Sequence, residues 1–305
     1  MISEEKITAF QKYILNWYHE NQRDLPWRTT RDPYSILISE VMSQQTQLSR
    51  VVLKYEAWLQ KFPTVHSLAQ AKVSEVLQYW SGLGYNRRAL NLKKTAEVIV
   101  EKYLGEFPQT EKELLALPGI GQYTARAVLC FAFDQQVAVI DTNVRKVILT
   151  QILNPENSEY SANQTIRKSE NLTIRDSADP SFQSFQKKND GKSNEKLIEE
   201  LATELLPVGQ AYEWNQALMD YAAAFLKKEK IPIPKQSKFH GSHRYYRGQV
   251  LKVLLKKKTI AVKDLGPLIK KDYTDSEGKW LQKLLDELQK EGFLILQDSN
   301  ITLST

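Results

Sequence analysis

Two carboxylates in apolar surroundings are the residues of this 305-residue chain best placed to do chemistry. Glu40 lies in Ile38-Ser39-Glu40-Val41-Met42-Ser43-Gln44-Gln45-Thr46-Gln47, and Asp141 in Val137-Ala138-Val139-Ile140-Asp141-Thr142-Asn143-Val144. Acids on helices usually face water, but one that follows Val-Ala-Val-Ile is expected to be desolvated. Desolvation raises a carboxyl pKa toward the general-acid range unless hydrogen bonds hold the group ionised. Beside this stands a blander reading, in which Asp141 caps the next helix through the N–H of Asn143 or Val144 and Glu40 is a surface acid. A third string, Leu117-Pro118-Gly119-Ile120-Gly121-Gln122-Tyr123-Thr124-Ala125, sits between two helical stretches. Its glycines let the backbone turn and present N–H groups at a helix N-terminus, where a phosphate can be held without contact to a base; an ordinary helix–helix turn is the alternative. The run Gln44-Gln45-Thr46-Gln47 is dense in amides between apolar stretches, and buried amides need partners.

The elements that must position these residues are helices. From Ile7 to Val147 apolar residues recur at three- and four-residue spacing, beginning with Ile7, Phe10, Tyr13, Ile14 and Trp17, and strand signals are nearly absent. Breakers such as Leu25-Pro26-Trp27, Phe62-Pro63-Thr64 and Gly82-Leu83-Gly84 mark short joints. Residues 154–193 turn to Ser, Asn, Gln, Asp and Lys, which reads as a mobile insertion, and helical patterning resumes from Leu197 through Phe225, closing a domain of residues 1–226. A basic linker, residues 227–243, leads to a separate small domain, residues 244–305. There the order is helix (Gln249–Lys257), helix (Val262–Lys271), helix (Glu277–Glu291) and two strands (Phe293–Leu296, Ile301–Leu303), which is the winged-helix order. Trp280, Leu281, Leu284, Leu285 and Leu288 form the last helix's expected buried stripe, with Lys279, Lys283 and Lys290 outward.

Composition narrows the function classes. The net charge is +6, yet residues 227–305 alone carry 17 Lys+Arg against 9 Asp+Glu, so the positive excess is in the tail and a polyanionic partner suits it. One cysteine, Cys130, excludes an internal disulfide framework and any four-thiolate metal or iron–sulfur site built from this chain. No apolar run approaches 18 residues, so no membrane span is expected, and the charged start MISEEKITAF does not read as a signal peptide. The four histidines lack metal-site spacing.

Taken together, Leu-Pro-Gly-Ile-Gly-Gln-Tyr-Thr-Ala and, some 20 residues on, Val-Ile-Asp-Thr-Asn-Val resemble the helix-hairpin-helix DNA glycosylase superfamily that includes endonuclease III. Leu25-Pro26-Trp27-Arg28, Asp32-Pro33-Tyr34, the Ser39–Gln47 string and Gly82-Leu83-Gly84-Tyr85 are similar to the adenine DNA glycosylase (MutY) family. The resemblance implies an all-α helix-hairpin-helix fold and monofunctional hydrolysis of the N-glycosidic bond of adenine mispaired with 8-oxoguanine or guanine in double-stranded DNA. It implies Glu40 as the proton donor to the adenine ring, Asp141 as the ionised carboxylate beneath a positively charged sugar, Asn143 to orient Asp141, and Tyr123 as an assistant in the same pocket. A lysine at position 123 would attack the sugar and lead to strand cleavage; tyrosine there implies a glycosylase alone. It further implies Arg28, Trp27 and Gln216 around the flipped adenine, Gln45 and Tyr85 as wedges beside the orphan base, Thr46 and Leu83 in contact with that base, and Gly119, Gly121 and Gln122 on a phosphate. For Trp27 and Leu83 a core role competes strongly.

This chain departs from the family pattern in three places. Leu226 stands where the first cluster cysteine is expected, so no cofactor is expected. The tail is too short for the family's Nudix-like C-terminal domain, which puts 8-oxoguanine discrimination in doubt. Ser43 and Thr142 replace a leucine and a glycine. The rival readings are a thymine or uracil mismatch glycosylase of the same superfamily and a non-catalytic DNA-binding protein. A monomer in a prokaryotic cytoplasm is the expected setting.

Overall fold

The structure is a computed structural model that describes residues 2, 4–153, 191–227 and 238–304. Most of the expected insertion and of the expected linker therefore lies outside the described residues. The described residues fall into two compact units. One takes those within Met1–Ile36, Gln109–Glu111 and Gly121–Ile233, the other those within Leu37–Pro108, Lys112–Ile120 and Pro234–Thr305.

The first unit is helical, as the periodicity predicts: α1 (Glu4–Asn21), α8 (Gln122–Phe133), α9 (Thr142–Val147), α10 (Gly191–Glu204) and α11 (Ala211–Phe225). Helix α10 begins at Gly191, inside the stretch read from composition as insertion. Its core joins α1 to α11, where Phe10 meets Trp214 edge-on at 5.9 Å and Trp17 meets Tyr221 at 5.5 Å and Phe225 at 5.4 Å. A 3₁₀ turn at Pro26–Arg28 leads toward α2 (Pro33–Ser43), which starts on Asp32: its carboxylate accepts from the Ser35 N–H at 2.9 Å and from the Ser35 hydroxyl at 2.5 Å.

From Leu37 onward α2 belongs to the second unit, with α3 (Leu48–Lys61), α4 (Val65–Gln70), α5 (Val73–Trp80) and α6 (Arg87–Tyr103). Trp58 is fully buried between Phe62 at 5.0 Å and Trp80 at 5.6 Å, which ties α3 to α5. Short α7 (Glu111–Leu115) precedes the hairpin, and Thr95 of α6, itself buried, donates to the Pro118 carbonyl at 2.9 Å.

The C-terminal segment has the expected three helices and hairpin: α12 (His243–Lys257), α13 (Val262–Ile269), α14 (Gly278–Glu291), β2 (Leu294–Gln297) and β3 (Asn300–Leu303). Two features differ from the sequence reading. A further strand, β1 (Thr259–Ala261), pairs antiparallel with β3, giving a three-stranded sheet ordered β1-β3-β2. Helix α12 starts six residues early, because Ser242 caps it by accepting from the Tyr245 N–H at 3.3 Å. The α14 leucines are buried and Lys279, Lys283 and Lys290 exposed as expected, while Trp280 is half-buried against Tyr246, edge-on at 5.0 Å. Asp298 and Ser299 both take positive φ, the geometry of a tight hairpin turn. Among the described residues no helix is long and apolar enough to cross a membrane.

Candidate functional site

Glu40 is 8% exposed, in the run from Tyr34 to Met42 that is buried on every side. The surface-acid alternative is thereby overturned: a helix apolar all round leaves its one acid no wet face.

For Asp141 the capping geometry is present and is accompanied by desolvation. It is the N-cap of α9, with Oδ1 accepting from the N–H of Asn143 at 2.8 Å and of Val144 at 2.7 Å. Its other oxygen, Oδ2, accepts from Asn143 Nδ2 at 2.8 Å, the contact that an orienting role needs. Burial pushes the Asp141 pKa above the ordinary value, although the hydrogen bonds from Val144 and Asn143 pull the other way. Behind it stands a residue that sequence reasoning missed. Asn215 of α11, 1% exposed, accepts from the Val139 N–H at 2.8 Å and donates to Val137 O at 3.0 Å and Ala211 O at 2.8 Å. It stitches the irregular run before Asp141 to a helix, and nothing in its local sequence marks it out; the signal is a buried amide with four partners, Cys130 Sγ being the fourth at 3.4 Å.

Also in the first unit, Arg28 is buried and forms a two-pronged pair with Asp220: Nη1 to Oδ2 at 2.8 Å and Nη2 to Oδ1 at 2.7 Å. Arg23 joins the same carboxylate through its N–H at 2.9 Å and Nε at 2.6 Å. Burial alone would push Asp220 up; the hydrogen bonds from Arg28 and Arg23 outweigh it and hold the carboxyl below the ordinary value. Gln216, one turn before Asp220 on α11, is buried, as is Trp27. Tyr123 lies half-buried in the first turn of α8.

The hairpin turn needs glycine at one position. Gly119 has φ +76°, and a Cβ there would collide with the Asn91 side chain; Gly121, at φ −96°, caps α8 in ordinary extended backbone with open space around it. Gln122 is exposed, its amide near Glu199 at 3.3 Å.

In the second unit Gln45, Thr46, Leu83 and Tyr85 are brought together by Arg88, which no motif singled out. Arg88 Nη1 donates to the carbonyls of Val41 at 2.6 Å and Gln44 at 2.6 Å; Nη2 reaches Thr46 Oγ1, Leu83 O and Gly84 O, each at 3.3 Å. Its guanidinium also lies 5.2 Å from the Trp80 ring and 5.6 Å from the Tyr85 ring. Directly after two of these carbonyls come two residues in the left-handed region, Gln45 (φ 54°) and Tyr85 (φ 48°), which is strained for non-glycine residues. Both side chains are exposed, while Leu83, at 4%, is packed inside.

Comparison with known proteins places this geometry. Residues 38–173 match a family described as HhH-GPD superfamily base excision DNA repair protein. The chain is 48% identical over 136 residues to an adenine DNA glycosylase of Mycolicibacterium smegmatis, covering 44% of this chain and 46% of that one. It is 33% identical over 221 residues to that of Buchnera aphidicola, covering 72% and 54%. Over its curated relatives the match spans from 28% to 54% of their length. Among solved structures, a thermostable thymine-DNA glycosylase is similar at 30% identity with a TM-score of 0.60, covering 74% of this chain and 90% of that chain.

Proposed function

The chain belongs to the helix-hairpin-helix (HhH-GPD) superfamily of base excision DNA repair proteins, and from that premise we propose that it is a monofunctional DNA glycosylase that removes adenine opposite 8-oxoguanine or guanine in duplex DNA. The observation that carries the reading is Asp141: a carboxylate desolvated by burial yet held by three donors, at the N-terminus of α9, the second helix after the hairpin. Such a group can stabilise positive charge on a sugar carbon as the glycosidic bond breaks. Glu40, enclosed in α2, suits the complementary task of delivering a proton to a ring nitrogen so that adenine departs neutral; water then adds to the sugar carbon. Both tasks require the nucleotide to be turned out of the stack. Gln45 and Tyr85, exposed on left-handed backbone, suit the gap that remains, with Thr46 and Leu83 beside the orphan base. Gln216 and Trp27 are the groups proposed to receive the adenine; Arg28, bonded to Asp220, acts by holding this corner together.

Tyr123 in place of an amine supports hydrolysis without strand cleavage. Gly119, Gly121 and Gln122 are proposed to track a phosphate, with the protein acting as a monomer. The iron–sulfur cluster implied by the resemblance does not fit the donors: the chain supplies one cysteine, Cys130, buried on α8 beside Asn215 Nδ2 at 3.4 Å, and Leu226 is 1% exposed at the end of α11. We therefore propose that it works without a cofactor.

A second reading, thymine or uracil removal opposite guanine, is favoured by the similarity to the thymine-DNA glycosylase. Single-turnover excision on duplexes carrying adenine opposite 8-oxoguanine, adenine opposite guanine, thymine opposite guanine and uracil opposite guanine, each with and without alkali, separates them. Adenine loss with strand breaks only after alkali is expected. Pyrimidine loss alone selects the second reading, and breaks without alkali overturn the monofunctional assignment.

A further inference from the structure

Within the second unit the C-terminal segment packs beside the two strained loops. Lys94 Nζ of α6 donates to the carbonyl of Glu291 at 3.1 Å, and Glu291 at the end of α14 pairs with Arg247 at 2.7 Å and faces Arg87 at 3.7 Å. Between α12 and the loops is a cleft of about 770 Å³. Two exposed aromatic side chains line it from opposite elements: Tyr85, 44% exposed, from the loop before α6, and Phe239, 52% exposed, from the residues leading into α12. The amides of Gln44 and Gln45 reach its wall, and Arg87, Arg244 and Arg247 face it with Glu291 as the one acid in the lining. Arg244 stacks over Phe239 at 5.6 Å.

We propose that this cleft is a nucleotide-binding site that takes the nucleotide facing the extruded base, so that the winged-helix segment helps to read the opposite strand. The inference rests on the proposal that a base is extruded. The chemistry favours a nucleotide over a protein side: aromatic faces stack on any base, amides match base-edge donors and acceptors, and a guanidinium excess attracts a phosphate. The volume is that of a small-molecule site, too confined for a helix and ample for one nucleotide. Continuity with Gln45 and Tyr85 sets the cleft next to the gap the flipped residue leaves.

The test uses the full chain and a duplex with a stable tetrahydrofuran abasic analogue opposite 2-aminopurine, which needs no chemistry and is indifferent to which base is excised. Binding is expected to quench the 2-aminopurine; Phe239→Ala removes most of the quench, and Arg244→Ala weakens affinity roughly tenfold. Gly248→Leu provides an independent arm. Gly248 lines the cleft from within α12, with open space where a Cβ would stand and no unusual backbone angle, so leucine plugs the cleft while favouring the helix. The plugged protein should keep its melting temperature and lose the quench. Wild-type-like quench and affinity in all three variants overturn the proposal. Absence of excision of adenine, thymine and uracil alike by the unaltered protein would instead sink the base-excision reading, a separate result from this binding assay.

Discussion

Asp141 and the wedge loops are positioned by opposite strategies. The carboxylate is held redundantly and mostly by its neighbours in sequence: two N–H groups of its own helix, the Asn143 amide, and the Asn215 stitch behind it. The loops of Gln45 and Tyr85 are joined by a residue distant from the first of them, Arg88, whose guanidinium ties both together, while Trp80 Nε1 donates to the Gly84 carbonyl at 2.9 Å. A reacting charge gains from rigid, local preorganisation. The pair of strained loops is instead tied together by contacts from outside them, with Arg88 as the side chain that spans both.

The largest effect sharpens the first half of the contrast. Asp141→Asn keeps a competent cap but removes the charge, and should slow excision by about 10³-fold. Because burial raises the Asp141 pKa, its contribution to folding is favourable below the ordinary aspartate pKa and is lost as pH rises through the raised value. The variant should therefore melt at the same or a higher temperature near neutral pH, and calorimetry showing a clear drop would break the assignment. For the same reason the wild-type rate should fall on acidification at a higher pH than an unperturbed aspartate would give.

Arg88→Ala comes next. It leaves the buried carbonyls of Val41 and Gln44 without their donor, at a cost of about 3 kcal/mol in urea unfolding. Arg88→Lys should recover little of it, since one ammonium cannot span both loops. If Arg88→Ala lost less than Asn215→Ala, the view of Arg88 as the main tie between the loops would fail. Asn215→Ala itself should cost about 2 kcal/mol and slow excision by loosening the run that carries Asp141. Smallest of all, Gln45→Gly relieves left-handed strain and should stabilise the fold by up to about 1 kcal/mol while lowering excision on mispaired duplexes. Stabilisation without loss of rate would show that the amide is no wedge.

Much of this was legible beforehand. The helical array, the hairpin, the tail's helix order and the Asp141 cap follow from patterns within a few residues. Strand β1 did not, because Thr259-Ile260-Ala261 is too short to alternate visibly and is a strand only through pairing with Asn300–Thr302. Arg88 was hidden as an ordinary cation opening a helix, and the pairing of Arg28 with Asp220, 192 residues away, leaves no local signal. The left-handed backbone at Gln45 and Tyr85 carries no glycine to announce it.

Residue types and short spacings thus determined by themselves which groups are candidates: two carboxylates in apolar surroundings, a glycine hairpin, a tyrosine at position 123 and a single cysteine. These are properties of local periodicity and of atoms present or absent. Which arginine clamps and which pairs, which amide holds the run before the aspartate, and that a basic tail lines a cleft with Tyr85 were decided only by the tertiary structure. Such contacts join residues far apart in the chain, and their energy depends on burial and on partners that no local pattern encodes.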